Sequence, residues 1–87
     1  MQRRSDDISD LRNLGPKTKQ WLNAVGIYDR QRMEKLGSIA IYRLLKERGY
    51  NVSLNLVYGI EAALLDIDWR DLPPEMKAEL RKELKYR

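Results

Sequence analysis

The segment from Leu11 to Leu22 holds the residues of this sequence whose types and spacing best suit the binding of an anion. Gly15 predicts a tight turn, because it has no side chain to obstruct the backbone. Pro16 suits the first position of the helix that follows, and the amides and dipole at that helix start can hold a phosphate group. The alternative is an ordinary turn between two helices with a solvated lysine. The candidate nucleic-acid-binding residues are Arg12, Asn13, Gly15, Lys17, Thr18 and Lys19.

The same segment resembles the helix-hairpin-helix motif of proteins that bind DNA without sequence specificity. Leu11 and Leu14 occupy its apolar positions, and residues 15–18 (Gly-Pro-Lys-Thr) match its second half. Asn13 stands where the first glycine of the motif usually lies, and asparagine is the residue after glycine that best tolerates a positive φ. Lys19 stands where a small residue usually packs. The resemblance implies contact with duplex phosphates rather than with base edges.

The composition argues against an enzyme and against a metal centre. The 87 residues include no histidine and no cysteine, which removes the commonest general base, the thiolate nucleophile and nearly every structural zinc site. Asp66 and Asp68 flank Ile67, but they border a predicted turn and are expected to act as caps or to be solvated. We therefore expect no catalytic residues, no metal and no cofactor.

Apolar spacing is helical throughout, and no segment alternates long enough to predict a strand. The expected fold is all-α: a compact bundle of five to six short helices, with one or two helix-hairpin-helix-like units. Residues 1–87 are expected to form a single domain, since this length is about one small domain. The predicted helices cover residues 6–12, 16–25, 30–36, 39–48, 54–65 and 73 onward.

Two parts of the chain repeat one pattern. Leu-Gly at 14–15 and again at 36–37 lies between predicted helices, and the following helices end in Gly-Ile at 26–27 and Gly-Tyr at 49–50. Two related helix-turn-helix units would produce this pattern, and so would the ordinary use of glycine between helices. The second unit, residues 36–40, has no basic residue in its turn, so any contact that it made with DNA would be through amides only.

The helix predicted at 54–65, with Ser53 as its N-cap, is the most apolar and should lie at the centre of the core. Gly59 inside it predicts the close approach of a neighbouring helix. Glu61 is the one charge of that helix, and we expect it to accept a hydrogen bond from a neighbouring helix end or to pair with a basic residue, because an unpaired buried carboxylate is costly. For Trp21 and Trp69, core packing is favoured over a role as interaction anchors.

The net charge of +4 permits nucleic-acid or acidic partners without requiring them. Residues 1–37 carry eight basic and five acidic side chains, so the excess lies where the candidate site lies. No apolar run follows the arginines at the start of the chain, and no segment is long and apolar enough for a membrane span. We expect a cytoplasmic protein whose partner is nucleic acid or another protein, and not a membrane.

A wider resemblance extends from about Leu11 to Leu72. The order and spacing of these residues are similar to the C-terminal domain of the TfoX/Sxy family, which implies an all-helical domain associated with the regulation of DNA-uptake competence. The predicted function is a small non-enzymatic module that binds nucleic-acid backbone; the alternative is a protein-protein interaction or self-association module. The resemblance rests on residues 14–17 (Leu-Gly-Pro-Lys), 21–22 (Trp-Leu), 25–27 (Val-Gly-Ile), 36–37 (Leu-Gly), Tyr42, 52–56 (Val-Ser-Leu-Asn-Leu), Tyr58, 61–64 (Glu-Ala-Ala-Leu), Trp69 and 71–73 (Asp-Leu-Pro).

Overall fold

The computed structural model describes residues 13–85 of the chain. Within that range the chain is helical and forms no strand, which confirms the predicted all-α class. It contains four α-helices rather than the predicted five to six, and the helix predicted at 6–12 lies outside the described residues. The elements are α1 (Pro16–Ala24), α2 (Arg30–Glu47), α3 (Leu54–Leu65), a 3₁₀ helix (Trp69–Asp71) and α4 (Pro74–Lys85).

The helices predicted at 30–36 and 39–48 are both present; they meet across a kink at one residue and are counted together as α2. Gly37 is the non-helical residue inside it, with φ 83° and ψ 158°. This conformation lies in a region that is essentially open only to glycine. The predicted break is therefore present at Gly37, but one residue makes it, and no loop separates two independent helices. The second helix-hairpin-helix-like unit is accordingly not confirmed.

Left-handed residues end α1, α2 and α3 in the same way. Gly26 has φ 84°, and the amide of the following Ile27 donates to the carbonyl of Leu22 at 2.9 Å. This is the glycine-terminated helix end that the sequence predicts. After α2 the amide of Tyr50 bonds to Leu45 in the same pattern, and after α3 that of Ile67 bonds to Ala62. Because a third helix shares this ending, the ending alone is no evidence for two duplicated units.

Helix α3 lies at the centre of the core, as its apolar sequence predicts. Five of its side chains are buried, and they belong to two apolar clusters. One cluster joins α3 to α1 and α2, and the other joins α3 to α4. The first contains Leu14, Leu22, Ile27, Met33, Ile41, Leu45, Ile60 and Ala63, and the second contains Val57, Tyr58, Ala62, Leu72 and Leu80.

Polar contacts fix the C-terminal half of the central helix against α2. The Arg30 guanidinium donates from Nη2 to the carbonyl of Leu64, in the last turn of α3, where a cation also interacts favourably with the helix dipole. The buried Ser38 donates from Oγ to Glu61 Oε1 at 2.8 Å. Glu61 thus accepts a hydrogen bond, as predicted, but the donor is a serine side chain within α2 and not a helix end or a basic residue. Among residues 13–85 no helix combines the length and the apolarity that crossing a membrane requires.

Candidate nucleic-acid interface

Asn13 precedes α1 and links it to the chain that leaves α3. Its backbone has φ 71°, the positive value expected at a position where the related motif carries glycine. Its side chain donates from Nδ2 to the carbonyl of Ile67 at 2.6 Å and accepts from the amide of Trp69 at 3.0 Å. Both polar atoms of the Asn13 side chain are therefore engaged within the fold. The side chain positions the corner before α1, and its amide group is not directed at a ligand.

The start of α1 is open to solvent. Gly15 occupies the N-cap position with φ −77° and ψ 171°, and no side chain caps the helix. The first turn closes through the amide of Lys19, which donates to the carbonyl of Gly15 at 3.1 Å. The amides of Lys17 and Thr18 come before that bond and have no acceptor within the helix. Gly15, Pro16 and Lys17 are exposed, and no atom lies within 4 Å of the place where a Gly15 side chain would start.

The predicted site residues differ in their surroundings. The Lys17 ammonium lies 5.9 Å from the ring centre of Trp21, a cation–π distance. That ring packs on Tyr50 with the centres 5.2 Å apart, so the predicted packing of Trp21 against the core is confirmed. Thr18 and Lys19 are half-buried. Arg12 lies outside the described residues, as does the first helix of the predicted hairpin, so the helix-hairpin-helix-like segment stays a prediction.

A groove of about 310 Å³ lies beside this corner, and we call it the α1–α3 groove. Its two sides come from the start of α1 and from the start of α3. Both helices begin there without a side-chain cap. Gly15, the N-cap residue of α1, has no side chain, and Ser53, the N-cap residue of α3, makes no capping bond. Ser53 thus lies at the predicted N-cap position, but its side chain does not form the hydrogen bond of a cap. The described lining residues are Asn13, Leu14, Lys17, Thr18, Trp21, Asn51, Ser53, Asn55, Leu56 and Gly59.

The lining of the α1–α3 groove has a positive electrostatic character. It includes one lysine, and none of its described members is a carboxylate. Each helix start adds the partial positive charge of the helix dipole and its unsatisfied amides. No group of acidic residues within residues 13–85 could hold a metal ion. The groove is therefore chemically suited to an anion.

Gly59 determines how closely α3 approaches the corner before α1. A Cβ atom added at Gly59 would lie 3.3 Å from the backbone oxygen of Asn13, closer than most real contacts of this kind. The predicted close approach is therefore present, but the neighbour is a carbonyl group just before α1 and not a second helix. This approach brings the starts of the two helices to one groove.

The sequence indicated one side of the groove and missed the other. Asn51, Ser53 and Asn55 lie more than thirty residues from Gly15 along the chain, and a capping serine was the only signal at that position.

The prediction for Trp69 was wrong: the residue is 46% exposed, on the 3₁₀ helix. Next to it, the hydrogen bond and charge of Asp68 raise the pKa of Arg70.

Comparison with known proteins places the chain in a family. The model of the TfoX C-terminal domain matches residues 4–84. Two crystal structures from Listeria monocytogenes are similar, an uncharacterized protein in a triclinic form and a protein of unknown function in a tetragonal form. Each has a TM-score of 0.83 and 28% sequence identity over 91% of this chain, which corresponds to 90% and 96% of the respective structures. The curated proteins give no match. Because the family model spans nearly the whole sequence, the chain belongs to the TfoX C-terminal domain family.

Proposed function

We propose that this chain is a small non-enzymatic module that binds the phosphate backbone of nucleic acid without reading base sequence. The α1–α3 groove is the observation that carries the proposal. Two uncapped helix starts border it, a lysine lies at its edge, and no described lining residue bears a negative charge. These are the features by which proteins bind phosphate groups.

The contacts available in the groove suit phosphate oxygens better than base edges. The amides of Lys17 and Thr18 are free of intrahelical acceptors, and the side chains of Thr18 and Ser53 add hydroxyl groups. Amides and hydroxyl groups that contact phosphates fix the orientation of a protein on the duplex, but they carry no sequence information. We therefore expect binding with little sequence preference and, for a single small site, weak affinity.

Membership of the TfoX C-terminal domain family supports a role connected with DNA. A competence-related function is part of the proposal, because the family resemblance implies it. Binding to the phosphate backbone of nucleic acid is the part of the proposal that the geometry of residues 13–85 supports directly.

The experiment measures the affinity of the chain for a short blunt-ended DNA duplex at low salt, by fluorescence anisotropy. Lys17→Ala should weaken binding several-fold, since each phosphate contact contributes to affinity. Lys35→Ala is the matched control: Lys35 is an exposed lysine on α2 and does not line the groove. If Lys17→Ala and Lys35→Ala both bind like the wild type, the groove is not the binding site.

Gly15→Ser separates binding from folding. The backbone of Gly15 is extended, which serine adopts freely, and a serine at the N-cap accepts a hydrogen bond from the first-turn amides. This substitution should stabilise the fold by about 0.4–1 kcal/mol, chiefly because serine restricts the unfolded chain more than glycine does, while the cap itself adds about a few tenths of a kcal/mol. It should also weaken DNA binding, because the serine oxygen competes with phosphate for the same amides. Loss of binding in a more stable protein cannot be attributed to unfolding.

A protein-protein interaction or self-association module is the second candidate. Its supporting observation is that four large apolar residues, Tyr28, Leu36, Leu65 and Trp69, are exposed; a contiguous apolar patch among them would mark an interaction site. Light scattering coupled to size-exclusion chromatography distinguishes self-association from a monomer over a range of concentrations. Concentration-dependent dimers with no affinity for DNA would replace the first candidate by the second.

A further inference from the structure

Trp69 presents an exposed indole ring from a firmly held backbone. It opens the 3₁₀ helix after α3, and the residue is 46% exposed. Its amide donates to Asn13 Oδ1 at 3.0 Å, and its carbonyl accepts from the amide of Leu72 at 3.2 Å. The backbone is therefore tied on both sides while the ring extends into solvent. Core packing does not account for a large aromatic side chain in this position.

One cation of α4, the Lys77 ammonium, lies against the Trp69 ring. The ammonium of Lys77 lies 5.9 Å from the indole centre and 5.5 Å from the ring centre of Tyr58. Arg81, one helical turn further, donates from Nη1 to the Tyr58 hydroxyl at 3.0 Å. Residues four apart lie on one side of a helix with a rise of about 6 Å between them. We call Lys77, Arg81 and Lys85 the basic edge of α4.

The backbone of Trp69 and the α1–α3 groove share one contact residue, Asn13. Asn13 lines the groove and, through its side chain, holds the backbone of Trp69. The backbone of Trp69 therefore lies beside a residue that lines the groove. Lys77 of the basic edge of α4 lies against the indole of Trp69, and Arg81 follows about 6 Å further along the helix.

We propose that Trp69 stacks on an unpaired base of the nucleic acid, while the basic edge of α4 contacts the phosphates of the same strand. An exposed aromatic ring beside cations is the arrangement by which proteins bind single strands without sequence preference, since every base offers a flat face. A base inside a duplex is already stacked on its neighbours, so the ligand is a junction between duplex and single strand. This inference rests on the proposed function, whose groove holds the adjoining phosphate.

The experiment compares two DNA probes by anisotropy: a blunt duplex and the same duplex extended by a short single-stranded overhang. The wild type should bind the overhang probe at least about fivefold more tightly, the lower end of what one stacked base contributes. Trp69→Ala should bind the two probes equally, and Trp69→Phe, which keeps an aromatic face, should retain part of the preference. The matched control is Tyr28→Ala, which removes another exposed aromatic side chain, 61% exposed, and should keep the full preference.

Two further measurements separate the role of the cation from that of the indole, and the loss of stacking from the loss of folding. Lys77→Ala leaves the indole in place and should reduce the preference for the overhang, and thermal unfolding verifies that each variant is folded. A wild type without preference, or a Trp69→Ala variant that keeps it, overturns the inference. The blunt duplex reports separately on the proposed function: if Lys17→Ala weakens blunt-duplex binding while the overhang adds nothing, the groove stands and the stacking is wrong.

Discussion

Asn13 combines a strained backbone with two hydrogen bonds of its side chain, and substitution separates these effects. Asn13→Gly keeps the positive φ without strain but removes the bonds to Ile67 and Trp69. It should lower the free energy of unfolding by about 1–2 kcal/mol, as each lost bond contributes about 1 kcal/mol. Asn13→Ala also places a side chain in the left-handed region, which adds about 1 kcal/mol.

Urea-induced unfolding of Asn13→Gly and Asn13→Ala measures both the contribution of the two side-chain hydrogen bonds and the cost of the positive φ. The glycine variant should lie between the wild type and the alanine variant. A glycine variant as stable as the wild type would mean that the two side-chain bonds contribute nothing.

The two aspects of Asn13 differ in how far the sequence could predict them. Its place in a helix-hairpin-helix-like pattern indicated the positive φ, because that conformation is a local property of the residue. Its bonds to Ile67 and Trp69 span more than fifty residues, and no local pattern encodes a contact of that range. The exposure of Trp69 escaped prediction for the same reason: it depends on where the 3₁₀ helix meets the corner before α1.

At the scale of the helices, Gly37 makes the bend within α2 possible. Its φ of 83° and ψ of 158° lie in a region where other residues cost about 1–3 kcal/mol. Gly37→Ala should lower the free energy of unfolding by that amount. Gly15→Ala is the matched control, because Gly15 has an ordinary φ of −77° and, like Gly37, open space where a side chain would start.

Thermal and urea unfolding of the two alanine variants tests this difference. Gly15→Ala should change stability by less than about 1 kcal/mol, since its gain in chain stiffness and its weaker capping oppose each other. Equal effects at Gly15 and Gly37 would show that the bend in α2 does not depend on the conformation of Gly37.

Gly59 lies on α3 and lines the groove. Its substitution by alanine has two opposing effects on stability, a gain in helix propensity and a loss of close packing. Alanine inside a helix is worth about 1 kcal/mol more than glycine, but here its Cβ would lie 3.3 Å from the Asn13 carbonyl. Because that carbonyl belongs to a residue held by two side-chain bonds, it yields only at a cost. Gly59→Ala should therefore fail to stabilise the protein and should shift the amide resonances of residues 13–17. A gain of about 1 kcal/mol without such shifts contradicts this account of Gly59.

The helices themselves were largely predictable, because their signals are local. Pro16 marks the start of α1, Gly26 marks its end, and the apolar run of α3 marks its central place. The number of separate helices was predicted less well, since the two helical segments of α2 follow one another across a single non-helical residue with no loop between them. The sequence predicted only one side of the candidate site. The α1 side has a sequence motif, whereas the α3 side lies next to it only because Gly59 permits close packing against Asn13.

At the scale of the whole molecule, long-range electrostatics should govern the proposed binding. The net charge of +4 attracts a polyanion at any orientation, whereas the groove holds it at one place. The logarithm of the binding constant for duplex DNA should fall with the logarithm of salt concentration with a slope of about −3, for about three phosphate contacts. Lys17→Ala should reduce the magnitude of that slope by about 1.

Lys35→Ala provides the comparison that separates the groove from general attraction. Both substitutions lower the net charge by one, so a purely diffuse attraction predicts similar slopes for the two variants. A direct contact between Lys17 and a phosphate predicts a smaller slope for Lys17→Ala alone, because only that contact releases a bound counterion. Anisotropy titrations at several salt concentrations measure both slopes, and coinciding values would leave the positive surface as a whole, and not the α1–α3 groove, responsible for binding.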